Sequence, residues 1–166
     1  MTTTQFGQAA GVVPDSATDR LEILELTSKL GLLVDAREWE ALRRLFTDPV
    51  DFDYTSLNGG EPQSPSPSDL VDGWRRALEP LVSTQHLIAS QVIDVERDRA
   101  TCAASVQGTH VAAGAIGDST FTVGGRYDLG LRRTSDGWRI SALKLTVQWT
   151  SGNRQVLPLG SETGDG

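Results

Sequence analysis

The chain has 166 residues, 38% hydrophobic and 22% charged, the composition of one globular domain around a single apolar core. Fifteen Lys plus Arg against 22 Asp plus Glu leave a net charge of −7, which opposes the counterion release that drives binding to phosphate backbones and excludes nucleic acid as an expected partner. In chain order, residues 1–17 are rich in Thr, Gln, Gly and Ala without sustained periodicity and read as an N-terminal tail. From there Ile23, Leu26, Leu30, Leu33 and Val34 recur at helical spacing, with Asp19, Arg20, Glu22, Glu25 and Lys29 mostly off that stripe. A second, short helix is expected over 38–46, with Trp39, Leu42, Leu45 and Phe46 inward and Thr47-Asp48-Pro49 ending it. Asp35 precedes it.

Residues 50–54 alternate as a short strand. The following segment, 58–68, packs two Gly and three Pro into a loop that suits the rim of a pocket. A third helix follows, with Ser68 as its expected cap and Leu70, Val71, Trp74, Ala77, Leu78 and Leu81 on its apolar side. From Thr84 the period changes to two. Breaks at 96–99, 114–118 and 134–137 divide this part into four antiparallel strands, the last break an Asp-Gly hairpin signal. Residues 151–166 end in small polar residues and read as a C-terminal tail, which leaves 18–150 as one domain. Helices first and hairpin strands afterwards is the order of an α+β domain whose curved sheet wraps a cavity closed by the N-terminal helices. No internal repeat is present.

Cys102 is the single cysteine, no Cys/His cluster has zinc spacing, and no phosphate-binding glycine loop or Gly-x-Ser-x-Gly elbow occurs. The expected chemistry therefore uses no cofactor and no metal. No run reaches the ~18 apolar residues of a membrane span, and the start lacks a basic n-region and an apolar h-region, so a cytoplasmic protein without a membrane partner is expected.

Two histidines occur. Alternation puts His110 on one side of its strand with Cys102, Ala104, Val106 and Gly108; it reads either as a core histidine bonded to backbone or as a cavity histidine that moves protons near neutral pH. His86, in Thr84-Gln85-His86, is either exposed or faces the same cavity, where a carboxylate partner would fix its tautomer. Asp35 is the candidate partner; its alternative reading is a helix-terminal aspartate in a capping box with Glu38. Tyr54 alternates with Phe52 and points inward, where its hydroxyl needs a partner. Tyr127 lies on an apolar strand face and reads as core; the four tryptophans read as core or interface.

Val34-Asp35-Ala-Arg-Glu-Trp39, then Asp51-Phe-Asp-Tyr54, Thr84-Gln85-His86, Thr109-His110, Asp136-Gly137-Trp138-Arg139 and Val147-Gln-Trp149 stand in an order that resembles scytalone dehydratase and the SnoaL-like branch of the nuclear-transport-factor-2-like superfamily. The resemblance implies a cone-shaped α+β barrel, a deep pocket, no cofactor and a homo-oligomer, a trimer before a dimer. It also implies that Asp35 orients His86 and that Tyr54 and His110 complete the site. Two positions depart from the family: its tyrosine before the aspartate is Val34 here, and its asparagine on the penultimate strand falls within Leu129 to Leu131, where no Asn exists. The expected activity is a cofactor-independent, dehydratase-like lyase acting by His/Asp acid–base chemistry on a small hydrophobic substrate of aromatic or polyketide type. A SnoaL-type polyketide cyclase or isomerase, and a noncatalytic subunit like the small subunit of ring-hydroxylating dioxygenases, are the alternatives.

Overall fold

The computed structural model describes residues 16–157 of the chain. Helix α1 (Ser16–Asp35) carries the expected stripe: Ile23, Leu26, Leu30 and Val34 are buried, as is Thr27 between them. The expected tail over 1–17 lies outside the described residues except for its last two, which already belong to α1. The second helix is shorter than the reading over 38–46: α2 spans Trp39–Arg43, and Phe46 opens strand β1 (Phe46–Asp53). Pairing with the last strand explains the difference, since Ile140 donates its N–H to Leu45 O at 2.8 Å and Phe46 stands opposite Ile140, drawing that backbone out of helical geometry.

A one-turn helix α3 (Thr55–Asn58), which the sequence reading lacks, follows β1. Helix α4 spans Pro67–Leu78 and is capped by Ser66, not Ser68. The Ser66 hydroxyl accepts from the Asp69 N–H at 3.1 Å, and Pro67 fills the first helical position, where a missing N–H leaves nothing unpaired.

The four expected antiparallel strands are β2 (Ser83–Glu96), β3 (Arg99–Val111), β4 (Thr120–Thr134) and β5 (Gly137–Gly152). With β1 they form one open sheet in the order β1-β5-β4-β3-β2, in which β1 runs parallel to β5. Register shifts at Gly124/Gly125 and Gly130/Leu131 bend the long β4–β5 ribbon. The bend makes one face concave, and α1 and α4 lie over that face. Gly31 permits the close approach of α1 to β2, because a Cβ there would stand 2.8 Å from the His86 carbonyl oxygen.

The far end of α1 is tied down by a buried charge. Asp19, 4% exposed, accepts from the Trp138 indole at 3.2 Å and pairs with Arg133 at 2.6 Å. Burial pushes its carboxyl up, but the bonds from Arg133 and Trp138 outweigh that and hold it below the usual range.

The expected C-terminal tail from 151 is corrected in its first part. Strand β5 continues to Gly152, and Asn153 caps a 3-10 turn (Arg154–Val156) that delivers Val156 and Leu157, 3% and 5% exposed, into the core. Residues 158–166 lie outside the described residues. Replacing Val156 and Leu157 together by alanine is therefore expected to cost about 3 kcal/mol or more in denaturant unfolding; a change below about 0.5 kcal/mol would show that these residues lie in a tail after all.

Candidate active site

The concave face and the helices border a pocket whose empty space, about 790 Å³, includes open solvent. Its walls are mainly apolar: Leu30 and Val34 from α1, Leu78 from α4, Ile88 and Val106 from the sheet, and Leu157 from the segment after β5. Among the described residues lining it there is no Lys, Arg, Asp or Glu. The polar groups that reach it are His86, His110, Tyr54, Tyr127 and Asn58, with the Trp74 ring beside them. Asn58 is the one residue of the expected rim loop 58–68 in the lining.

Asp35 is the last residue of α1, and its carboxylate reaches β2 instead of capping α2. Glu38, at the N-cap of α2, makes no side-chain cap bond, so the capping-box reading is corrected. Asp35 Oδ1 lies 2.7 Å from His86 Nδ1, and Oδ2 accepts the His86 backbone N–H, also at 2.7 Å. The Thr84 hydroxyl adds a third bond, to Oδ1 at 2.9 Å. Burial pushes the Asp35 carboxyl up, yet the two bonds from His86, its charge and the Thr84 hydroxyl more than offset this and leave it below the ordinary carboxylate range. An ionised Asp35 can only accept, so His86 donates from Nδ1, and in the neutral imidazole the lone pair lies on Nε2. The His86 side chain is 14% exposed and lines the pocket, so the exposed alternative is set aside.

His110 is a core histidine bonded to backbone that also faces the cavity, but it does not titrate near neutral pH as the second reading expected. It is 5% exposed, lines the pocket, and its Nδ1 lies 3.2 Å from the Phe121 carbonyl. Burial, helped by the neighbouring His86, pulls its pKa down to about 4, so the ring is neutral at physiological pH. A carbonyl only accepts, hence Nδ1 donates to Phe121 and Nε2 is left as an acceptor. A neutral His110 held in this way presents Nε2 to a hydroxyl donor in the pocket. The His86 and His110 rings meet edge to face with centroids 5.4 Å apart. Gly108 lies between them, where a Cβ would come within 3.2 Å of His86 Cδ2 and 3.3 Å of His110 Cε1.

Tyr54 finds its partner in Tyr127, the two hydroxyls 2.7 Å apart. Burial raises Tyr54 well above the usual phenol value and Tyr127 to about 12, so both stay protonated. One phenol donates to the other, and the hydrogen left over is free for an acceptor in the pocket. Tyr127, read as core, thus belongs to the site as well. A strand pattern shows that its ring faces inward but not that the space inside is partly empty; the unsatisfied hydroxyl was the available signal. Phe52 stacks on Tyr54 at 4.4 Å, and Trp74 stands 6.2 Å from it, giving one aromatic wall. The apolar pair Leu129 and Leu131, 3% and 2% exposed, fills the stretch where the family has its asparagine.

Arg154 joins two short segments that each supply a lining residue, Leu57 and Leu157. Its Nη2 donates to Leu57 O of α3 at 3.2 Å and its Nη1 to Leu157 O at 3.3 Å, with the guanidinium 5.2 Å over the Phe121 ring. Among the described residues, no group of three or more His, Cys, Asp or Glu is placed to hold a metal ion. No helix among them is long and apolar enough to cross a membrane.

The family of SnoaL-like domains matches residues 15–144. An uncharacterized protein of Mycobacterium tuberculosis is 30% identical over 124 residues, 74% of this chain and 81% of that protein. A solved protein from Kribbella flavida, Kfla4162, shares 36% identity with a TM-score of 0.79, covering 82% of this chain and 95% of that one. Two less similar structures share the fold. A putative scytalone dehydratase from Novosphingobium aromaticivorans has a TM-score of 0.71 at 15% identity, covering 91% of this chain and 97% of its own. A hexachlorocyclohexane dehydrochlorinase has 0.69 at 17% identity, covering 82% and 89%.

Because the pKa of His110 is depressed in the fold, the unfolded chain takes up a proton near 6.5 that the folded chain refuses until about 4. This contribution is fully favourable above that window and is lost as pH falls through it, a change on the order of 3 kcal/mol. Unfolding titrations between pH 7 and 4 should show this slope in the wild type and a flatter one in His110→Gln; equal slopes would refute a neutral, buried His110.

Proposed function

The chain belongs to the SnoaL-like domain family, and from that membership and its pocket we propose that it is a cofactor-independent lyase that removes water from a small, hydrophobic, oxygenated substrate of aromatic or polyketide type. The observation that carries this reading is the 2.7 Å contact between Asp35 and His86 at the wall of an apolar pocket. His86 Nε2 takes a proton from a carbon beside a carbonyl, and Asp35 stabilises the imidazolium that forms. The electrons of the broken C–H bond become a carbon–carbon double bond as the neighbouring C–O bond breaks. The departing oxygen takes its electron pair with it and recovers the proton from the imidazolium on the same face, leaving as water.

The remaining polar groups suit the other ends of such a substrate. The free hydrogen of the Tyr54–Tyr127 pair is available to the carbonyl oxygen as negative charge builds there. Neutral His110 accepts from a substrate hydroxyl and orients it. Apolar walls displace bulk water, which strengthens each of these bonds. The same fold in structures described as a putative dehydratase and as a dehydrochlorinase supports elimination as the reaction class. Our reading also places the enzyme in the cytoplasm as a homo-oligomer, a trimer by the family resemblance.

The test is a panel of cyclic and aryl β-hydroxy ketones, followed by absorbance of the conjugated product and by mass. Turnover with loss of one water is expected, and it should fall by roughly 10²–10⁴-fold in His86→Ala and in Asp35→Asn while circular dichroism stays unchanged. Full activity in either purified variant would remove the pair from the mechanism. Turnover without loss of water would move the assignment to a cyclase or isomerase.

A further inference from the structure

We propose that Arg37 is a positioning residue for the Asp35–His86 pair, acting through the hydroxyl of Thr84; its catalytic meaning rests on the elimination reading above. An arginine only donates, so Arg37 Nη1, 2.8 Å from Thr84 Oγ1, occupies a lone pair of that hydroxyl. The single hydrogen of Thr84 is then directed to Asp35 Oδ1 at 2.9 Å. The donors all point one way, from Arg37 to Thr84 to Asp35, and they end on the oxygen that also receives His86 Nδ1–H. A carboxylate supplied with donors from both sides stays ionised, and an ionised Asp35 is what keeps the hydrogen of His86 on Nδ1 and the lone pair on Nε2.

The local backbone points the same way. Arg37 has φ = 60°, in the left-handed region that a glycine would occupy at less cost. Its side chain compensates with two further bonds, to Val34 O at 2.9 Å and to Leu78 O at 3.0 Å, which tie the end of α1 to the end of α4. The groups facing Asp35 are Thr84 and His86 from β2, Arg37 from the turn and His110 from β3, with Glu79 after α4 acting on Arg37. Within this set Arg37 is the one cation that cannot give up its proton, so the relay keeps its direction throughout the working pH range.

The test uses the full-length chain, with carbon-13 at the aspartate carboxyls and nitrogen-15 in the imidazoles, read by NMR. The wild type should show Asp35 titrating below the ordinary carboxylate range and His86 as a single Nδ1–H tautomer. Thr84→Val and Arg37→Met should each raise the Asp35 midpoint by about half a pH unit or more and populate the second His86 tautomer. Thr84→Ser and Arg37→Lys should restore both. An unchanged midpoint and tautomer in folded Thr84→Val overturn the proposal whether or not Arg37→Met folds, and so does a shift that the conservative variants fail to reverse. Neither measurement needs a substrate. An intact relay in a protein without elimination activity therefore sinks the elimination reading alone, and active enzyme with an indifferent Asp35 sinks the relay alone.

Discussion

One carboxylate joins the helical layer to the sheet. Strand β2 is an edge strand, and the outward N–H of His86 would otherwise lie unpaired beside the end of α1. Asp35 satisfies that N–H with one oxygen and the imidazole with the other, so a single side chain closes a gap in the fold and fixes a ring. The arrangement requires α1 to lie almost in contact with β2, which Gly31 allows, and it requires the other end of the helix to be held, which the buried Asp19–Arg133–Trp138 cluster does. A half-buried acid is costly unless it is well supplied with donors. Here the three bonds to Asp35 meet that need without placing any formal cation in the pocket lining.

That separation of charge from cavity shapes the chemistry. Asp35 and Arg37 lie behind His86, and the described residues of the lining include no Lys, Arg, Asp or Glu. The hydrogen-bonding groups in that lining are the phenols of Tyr54 and Tyr127, the imidazoles of His86 and His110, and Asn58. Such a site suits a neutral molecule better than a free phosphate or carboxylate, which would find no formal cation among the described lining residues.

Much of this was readable in the chain. The period of two from Thr84 onward put His110 with Cys102, Ala104 and Val106, and those residues are buried on β3. The stripe from Ile23 to Val34 located α1, with Asp35 at its end. The features that escaped depend on distant partners or on backbone states that side chains do not announce. Strand β1 runs through Pro49 because β5, some ninety residues later, pairs with it in parallel. The left-handed turn at Arg37 has no composition signal, and Tyr127 meets Tyr54 only once the sheet has curved. Val156 and Leu157 form too short an apolar pair to stand out within a polar terminus, yet they are buried.

Gly108 gives the pocket an uneven tolerance to change. The floor between the two imidazoles cannot accept even one methyl group unless a ring moves by a few tenths of an ångström. Leu30, Ile88, Val106 and Leu145 in the walls are aliphatic residues that can exchange for one another at small cost. Divergence within such a scaffold would alter the walls first, so new guests arise sooner than new reactions.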